Sequence, residues 1–269
     1  MPSSHKPRGR PKSFHDKTEA TRIQALDRAL DVLDQLASGG GQTLSELAAV
    51  LDQSPATVYR ILTTFAARGM AETDPADQTW HVGANAFRTG SAFLRRSSLV
   101  ERARPVMRRL MEETGETANL GVERGDQVLF LSQVETHETI RAFFPPGTLS
   151  PLHSSGIGKA LLSVAPATRI DLLMTQNPEA FTPNTITDAA AMHANLTEAR
   201  ARGFAHDDEE RTIGMRCLAA PILNLHGEAV AGISVSGPTH RLTNAHITDI
   251  GTKVAEAAKD LSRALGAAV

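Results

Sequence analysis

The sequence predicts an α+β protein in two parts, a small helical module closed by a hairpin and a larger antiparallel sheet with helices on its faces. Three observations predict it. The chain of 269 residues is too long for one average core and comfortable for two. The first 84 residues repeat apolar side chains at helical spacing and finish on a turn signal between two short β-prone runs. Beyond Thr117 the apolar period shortens to that of strands.

From Arg22 to Ala37, Leu26, Leu30, Leu33 and Ala37 recur at steps of four, three and four, so this stretch is expected to turn that face inward as a first helix. Gly39-Gly40-Gly41 ends it. Thr43-Leu44-Ser45-Glu46 has the form of a capping box and opens a second helix to about Leu51. Ser54-Pro55 offers a cap followed by proline at the first helical position, starting a third helix that runs to about Arg68. On it Val58, Ile61, Leu62 and Phe65 share one face, leaving Ala56, Arg60, Thr63 and Ala67 opposite, with Thr57 and Thr64 beside them. Gly69 closes the helix, and Met70–Thr73 and Thr79–Val82 flank the turn Asp74-Pro75-Ala76-Asp77 as a hairpin.

Helix, helix, turn, helix, hairpin is the order of a winged helix-turn-helix. A small, hydroxyl-bearing helix face with one arginine suits a major groove, because small residues allow close approach and an arginine can bind guanine with two hydrogen bonds. Ser54, Ala56, Thr57, Tyr59, Arg60 and Thr63 are therefore the candidate DNA-contacting residues of the third helix and its cap. A helical module for protein contact would share the three amphipathic helices. Against it stands the N-terminal arm of residues 1–20, where Lys6, Arg8, Arg10 and Lys12 occur with no acid in the first dozen positions. Such a segment is expected to be disordered alone and to favour a polyanion. Arg8-Gly9-Arg10-Pro11 is similar to the core of an AT-hook, which makes Arg8 and Arg10 candidates for a narrow minor groove. Residues 1–96 carry 12 basic against 10 acidic side chains, and 97–269 carry 16 against 20, so positive charge gathers in the expected DNA-reading half.

The winged module is expected over 21–84, and Asn85 to residue 98 reads as a linker helix. Leu99 to Thr114 is another helix, with Val106, Leu110 and Met111 inward. Strands follow around Leu120–Val122 and Val128–Leu131, and again at Ile140–Phe143 before Pro145-Pro146-Gly147. Helices are expected from Ser155 to Val164, from Asp188 to Arg202 and from about Asn244 to Leu265, with strands at Cys217–Leu223 and Glu228–Ser236 between the last two. A single cysteine, Cys217, excludes an intramolecular disulfide framework and fits a reducing cytoplasm. No stretch reaches the ~20 apolar residues of a membrane span, and no signal-peptide core opens the chain, so a cytoplasmic protein is expected.

In this second domain the residues resemble the IclR family of regulators. The signature reads Gly203, Asp207, Glu210, Cys217-Leu218-Ala219, Ile222, Leu223 and Asn224, and departs only where Leu223 replaces an aromatic or His. His153–Ala160, Gly214–Ala220 and Ile233–Pro238 extend the similarity. Within the family they look most like the glyoxylate-responsive regulators of glyoxylate-shunt and allantoin genes; a regulator of a β-hydroxyaspartate pathway would also fit. The resemblance implies that 99–269 form a GAF-like effector-binding domain, that the chain works as a homodimer or dimer of dimers on promoter DNA, and that it uses no cofactor beyond a small carboxylate effector.

By resemblance, Ser155, Gly156, Ile157, Asp207, Met215, Cys217, Ser234 and Ser236 form the effector pocket. The chemistry agrees. Free N–H groups at the helix start of Gly156-Ile157 favour a carboxylate, and Ser234 and Ser236 share one strand face. Asp207 can accept from a hydroxyl, Cys217 can pack or bond weakly, and Met215 can supply an apolar wall. The competing reading is an enzyme, since Cys217, His206 and Asp207 have the residue types of a thiol triad and ten histidines invite a metal site. Adjacent His206 and Asp207 are poorly placed to act in series, no close-spaced ligand motif occurs, and an enzyme leaves the basic arm unexplained.

Overall fold

The computed structural model describes residues 23–95 and 99–269, so the arm with Arg8 and Arg10 lies outside the described residues. The chain divides into two compact units between Arg95 and Arg96.

The first unit runs α1 (Gln24–Ser38), α2 (Leu44–Val50), α3 (Pro55–Ala67), β1 (Ala71–Thr73), β2 (Trp80–Val82) and α4 (Ala84–Arg95). The capping box opens α2: the Thr43 backbone N–H donates to Glu46 Oε2 at 2.8 Å, and the Glu46 N–H donates to Thr43 Oγ1 at 3.4 Å. Ser54 caps α3 by accepting from the Thr57 N–H at 3.2 Å, with Pro55 leading the helix. The other end of α3 is closed across the chain, where Asn85 Nδ2 donates to Arg68 O at 2.7 Å. β1 and β2 pair antiparallel from Ala71↔Val82 to Thr73↔Trp80. Trp80 also exchanges backbone bonds with Gln42, which ties the hairpin to the loop between α1 and α2.

Val32, Leu36, Leu47, Ala48, Val58, Leu62 and Ala71 form the core of this unit. The face expected for α1 is a correction. Leu26 and Leu30 are 54% and 46% exposed and Ala37 is exposed, while Val32 and Leu36 are buried. α1 packs on α3 and β2 through Val32 and Leu36, so the buried stripe is rotated by about one residue (~100°) from the one the leucine spacing suggests.

The second unit runs α5 (Leu99–Thr114), β3 (Thr117–Arg124), β4 (Gln127–Val134), β5 (Leu149–Pro151), α6 (Gly156–Ser163), α7 (Ala167–Met174), α8 (Ala189–Arg202), β6 (Ala205–Asp208), β7 (Met215–Leu223), β8 (Ala229–Pro238) and α9 (Ile247–Ala264). Its six strands form one sheet in the order β5-β4-β3-β8-β7-β6, every neighbouring pair antiparallel. α6 lies across β6, β7 and β8 with α8 packed on it, and α5 and α9 pair with each other while packing on the sheet. Two glycines let α6 come this close. A Cβ on Gly158 would stand 2.2 Å from Leu152 O, and one on Gly156 would stand 2.5 Å from Cys217 Sγ.

The strand expected at Ile140–Phe143 is instead an unpaired loop, with Ile140 and Phe143 largely exposed. The sheet edge is taken by β5, which pairs with β4 just after the proline-rich turn. On α5 the buried apolar residues are Leu99, Ala103, Met107, Leu110 and Met111, and the expected Val106 is only half-buried. β6 and α7 were not anticipated, and α9 begins at Ile247, after a turn over 244–246.

Candidate functional site

On the first unit, Ala56, Tyr59 and Arg60 stand on the exposed face of α3, with Tyr59 54% exposed, and Thr57 and Thr63 are half-buried beside them. Hydrogen bonding sorts these residues. The Ser54 hydroxyl is engaged in the cap and with Thr57 Oγ1 at 2.9 Å. Thr63 donates back to Tyr59 O at 2.9 Å and Thr64 donates to Arg60 O at 2.7 Å, so both hydroxyls are engaged with the helix backbone. The Arg60 guanidinium has no hydrogen bond or ion pair among the described residues. With Arg28 of α1 it lines an open groove floored by Ile61 and Phe65. Arg28 was not singled out in the sequence, because its partner in the groove lies on a different helix. The hairpin tip carries Asp74 and Asp77, each turned onto its own backbone: Ala76 N donates to Asp74 Oδ1 and Thr79 N to Asp77 Oδ1.

On the second unit the predicted polar residues meet across the sheet. Asp207 pairs with Cys217 in the β6–β7 register, and Cys217 pairs with Ser236 in the β7–β8 register. The row continues: Asn119 Nδ2 of β3 donates to Ser236 Oγ at 3.3 Å and to Ser234 Oγ at 3.4 Å, and Gln133 Nε2 of β4 donates to Asn119 Oδ1 at 3.1 Å. Above this row sits the start of α6. Ser155 caps it by accepting from the Gly158 N–H at 3.1 Å, while the Gly156 and Ile157 N–H groups donate to no acceptor among the described residues.

A cavity of about 50 Å³ opens there, lined by Ser155, Gly156, Ile157, Asp207, Met215, Cys217 and Ser236 among the expected residues. Ser234 does not line it; it is fully buried one residue pair further along β8, behind Cys217. Phe130, Phe144, Ser150, Arg211, Thr212 and Arg216 complete the wall. Phe130 and Phe144 stack at 4.9 Å as an apolar side, brought together from β4 and the loop before Pro145.

The electrostatics are unusual for so small a site. Asp207 is 8% exposed, and burial pushes its carboxyl up to about 7 although Lys159 nearby favours the charged form. Lys159 of α6 is fully buried, donating to Glu210 Oε1 and to His206 O. Burial, with the Asp207 charge second, pushes the Cys217 thiol up to about 11, and burial holds His206 down at about 4. At neutral pH Cys217 is therefore a thiol and His206 a neutral ring, so the resting site holds no thiolate. Among the described residues no group of three or more His, Cys, Asp or Glu side chains could hold a metal ion, and no helix is long and apolar enough to cross a membrane.

Residues 25–75 match the IclR helix-turn-helix domain, and residues 91–263 match the bacterial transcriptional regulator IclR C-terminal domain. The chain belongs to the IclR family. It is similar to the HTH-type transcriptional regulator BhcR of Paracoccus denitrificans, at 60% identity over 96% of this chain and 92% of that protein. It is also similar to the HTH-type transcriptional repressor AllR of Klebsiella pneumoniae, at 36% identity over 96% of both chains. Its fold matches the crystal structure of an IclR homologue from Microbacterium hydrocarbonoxydans in complex with 4-hydroxybenzoate, with a TM-score of 0.75, 23% identity and coverage of 89% of this chain and 99% of that one. The relatives are transcriptional regulators, not enzymes. As an IclR-family member this chain is a DNA-binding transcriptional regulator: the helix-turn-helix match falls on α1 to β1, and the effector-domain match falls on the unit that holds the cavity.

Proposed function

We propose that this IclR-family regulator binds promoter DNA through α3 and the basic arm, and that a small carboxylate in the second unit, glyoxylate fitting best, sets its affinity for that DNA. The observation that carries the effector half is the cavity itself. Its 50 Å³ is a few times the ~10–15 Å³ that one water needs on the same measure, so a ligand of few atoms fits. The Gly156 and Ile157 amides, at the positive end of α6, offer two donors to a carboxylate. Asp207, Cys217 and Ser236 offer acceptors and weak donors to the aldehyde or hydrated end of the same molecule. An IclR homologue of the same fold is solved in complex with 4-hydroxybenzoate, which supports a carboxylate ligand for a protein of this fold, though of another size. BhcR, at 60% identity, supports the same kind of regulator.

The functional divisions follow the sequence reading: residues 1–20 as a DNA-seeking arm, 21–84 as the reader, 85–98 as linker, and 99–269 as a GAF-like sensor. The working form is a cytoplasmic homodimer or dimer of dimers, because two recognition helices must match two half-sites on the duplex. Calorimetry of the full chain with glyoxylate, followed by promoter binding with and without it, tests both halves. Heat on mixing and a shift in promoter affinity are expected. No heat removes the effector assignment, and heat without any shift removes the switch.

A further inference from the structure

We propose that Arg211 is the cation of the effector site, a specificity-determining residue whose guanidinium fork receives an oxygen pair of the bound carboxylate. The inference rests on the reading of the cavity as an effector pocket. Arg211 lies in the turn between β6 and β7 and lines the cavity. Its Nη1 is buried and has no hydrogen-bond partner, and its guanidinium forms no ion pair among the described residues. The neighbouring charges are already engaged. Arg216 pairs with Asp208 at 2.6 Å and donates to Leu242 O, and Lys159 pairs with Glu210. A buried guanidinium N–H without an acceptor costs free energy that an anionic ligand would recover.

The side chain is also held ready. Its Cζ stands 3.8 Å from the centre of the Phe181 ring, and Phe181 stacks on His153 at 5.9 Å. His153 Nε2 in turn bonds Glu179 O at 2.9 Å. The loop that carries Phe181 is pinned to the same turn as Arg211: Thr182 Oγ1 donates to Glu209 O at 2.7 Å and Thr185 Oγ1 to Glu210 O at 2.6 Å. A guanidinium laid flat on an aromatic ring presents its N–H edge outward, the geometry that a planar carboxylate accepts in two parallel bonds. The ligand class that follows is a short acid with a planar carboxylate at one end. The Phe130–Phe144 stack limits its length, the α6 amides share the carboxylate with Arg211, and Asp207 meets the oxygen at its other end.

The test is calorimetry of the full-length protein with glyoxylate for wild type, Arg211→Gln and Arg211→Lys, with circular dichroism melting curves to show that each variant is folded. Arg211→Gln is expected to weaken glyoxylate by roughly tenfold to a hundredfold, the range of a hydrogen bond to a charged group. Arg211→Lys, which keeps charge and loses the fork, is expected to recover part of the loss. A second probe separates charge from packing. Glycolaldehyde has the same skeleton without the carboxylate, and its binding, weak or undetectable, is expected to be the same in wild type and Arg211→Gln. Equal glyoxylate affinity in wild type and a folded Arg211→Gln overturns the role of Arg211 and leaves the pocket assignment standing. An unfolded Arg211→Gln passes the decision to Arg211→Lys, where wild-type affinity overturns it. No glyoxylate heat with wild type overturns the pocket assignment, and Arg211 falls with it.

Discussion

The two units put their candidate functional groups on opposite sides of the solvent boundary. In the first, the chemistry is on the surface: Tyr59 and Arg60 stand outward on a helix whose inner face is plain apolar core. In the second it is inside, where Lys159 of α6 is buried together with Glu210, Asp207, Ser234 and Ser236. The difference teaches that a DNA reader can lose a functional side chain and keep its fold, whereas in the sensor the same side chains are partly the fold.

Four expected effects press on that contrast. Lys159→Met is expected to have the largest effect, because it leaves the Glu210 carboxylate buried without its partner, a loss of about 3–5 kcal/mol that denaturant unfolding of the second unit would read. Lys159→Met with Glu210→Leu should return most of it; if the double variant is as unstable as the single, the pair is not the cause. Arg60→Ala is expected to cost about 1–3 kcal/mol of specific promoter binding with an unchanged melting temperature. A drop in melting temperature of comparable size would erase the distinction between the units.

The third effect is one of pH. Asp207 titrates at about 7 in the fold against about 3.9 in an unfolded chain, so the folded state holds this proton longer. Its contribution to stability is complete below about pH 4 and is lost as pH rises through about 7. A neutral Asp207 also suits an anionic ligand better than a charged one. Glyoxylate affinity is therefore expected to fall as pH rises from 6 to 8, approaching about tenfold per unit above 7. Asp207→Asn should flatten the profile; a slope that survives in Asp207→Asn assigns the proton elsewhere. The smallest effect is that of Thr43→Ala, which removes the capping box of α2 at a cost of about 1 kcal/mol in thermal unfolding of the first unit. A change under a few tenths would mean that packing, not the cap, sets where α2 begins.

Legibility in the sequence follows the same divide. The caps at Thr43 and Ser54 and the closing turn at Gly69 are local chemistry, and the helices start and stop where those residues dictate. The stripe on α1 misled because spacing fixes a period and not which of two adjacent stripes meets a partner; only packing on α3 and β2 selects Val32 and Leu36. Ile140–Phe143 has strand composition and no neighbour to pair with. In the sensor, Gly156, Ile157, Asp207 and Cys217 are legible from the family signature and the helix start, and they share one cavity. Phe144 and Arg211 could not be found that way, since a loop and a turn 67 positions apart become neighbours only when the sheet forms. Ser234 lies one register pair beyond the cavity wall for a similar reason: alternation puts it on the same face of β8 as Ser236 and leaves its depth along the strand open.

The volume of the cavity has a consequence for the time and concentration scale of regulation. A cavity of about 50 Å³ suits a ligand as small as glyoxylate, whose ~5 heavy atoms at the ceiling of ~1.5 kcal/mol per atom for the smallest ligands limit its tightest complex to the low micromolar range. A complex that weak exchanges quickly. The regulator would then follow the running level of a bulk metabolite instead of storing a memory of a past exposure, and its promoter occupancy would decay as soon as the metabolite did or return as soon as it was drained, according to the sign of the switch.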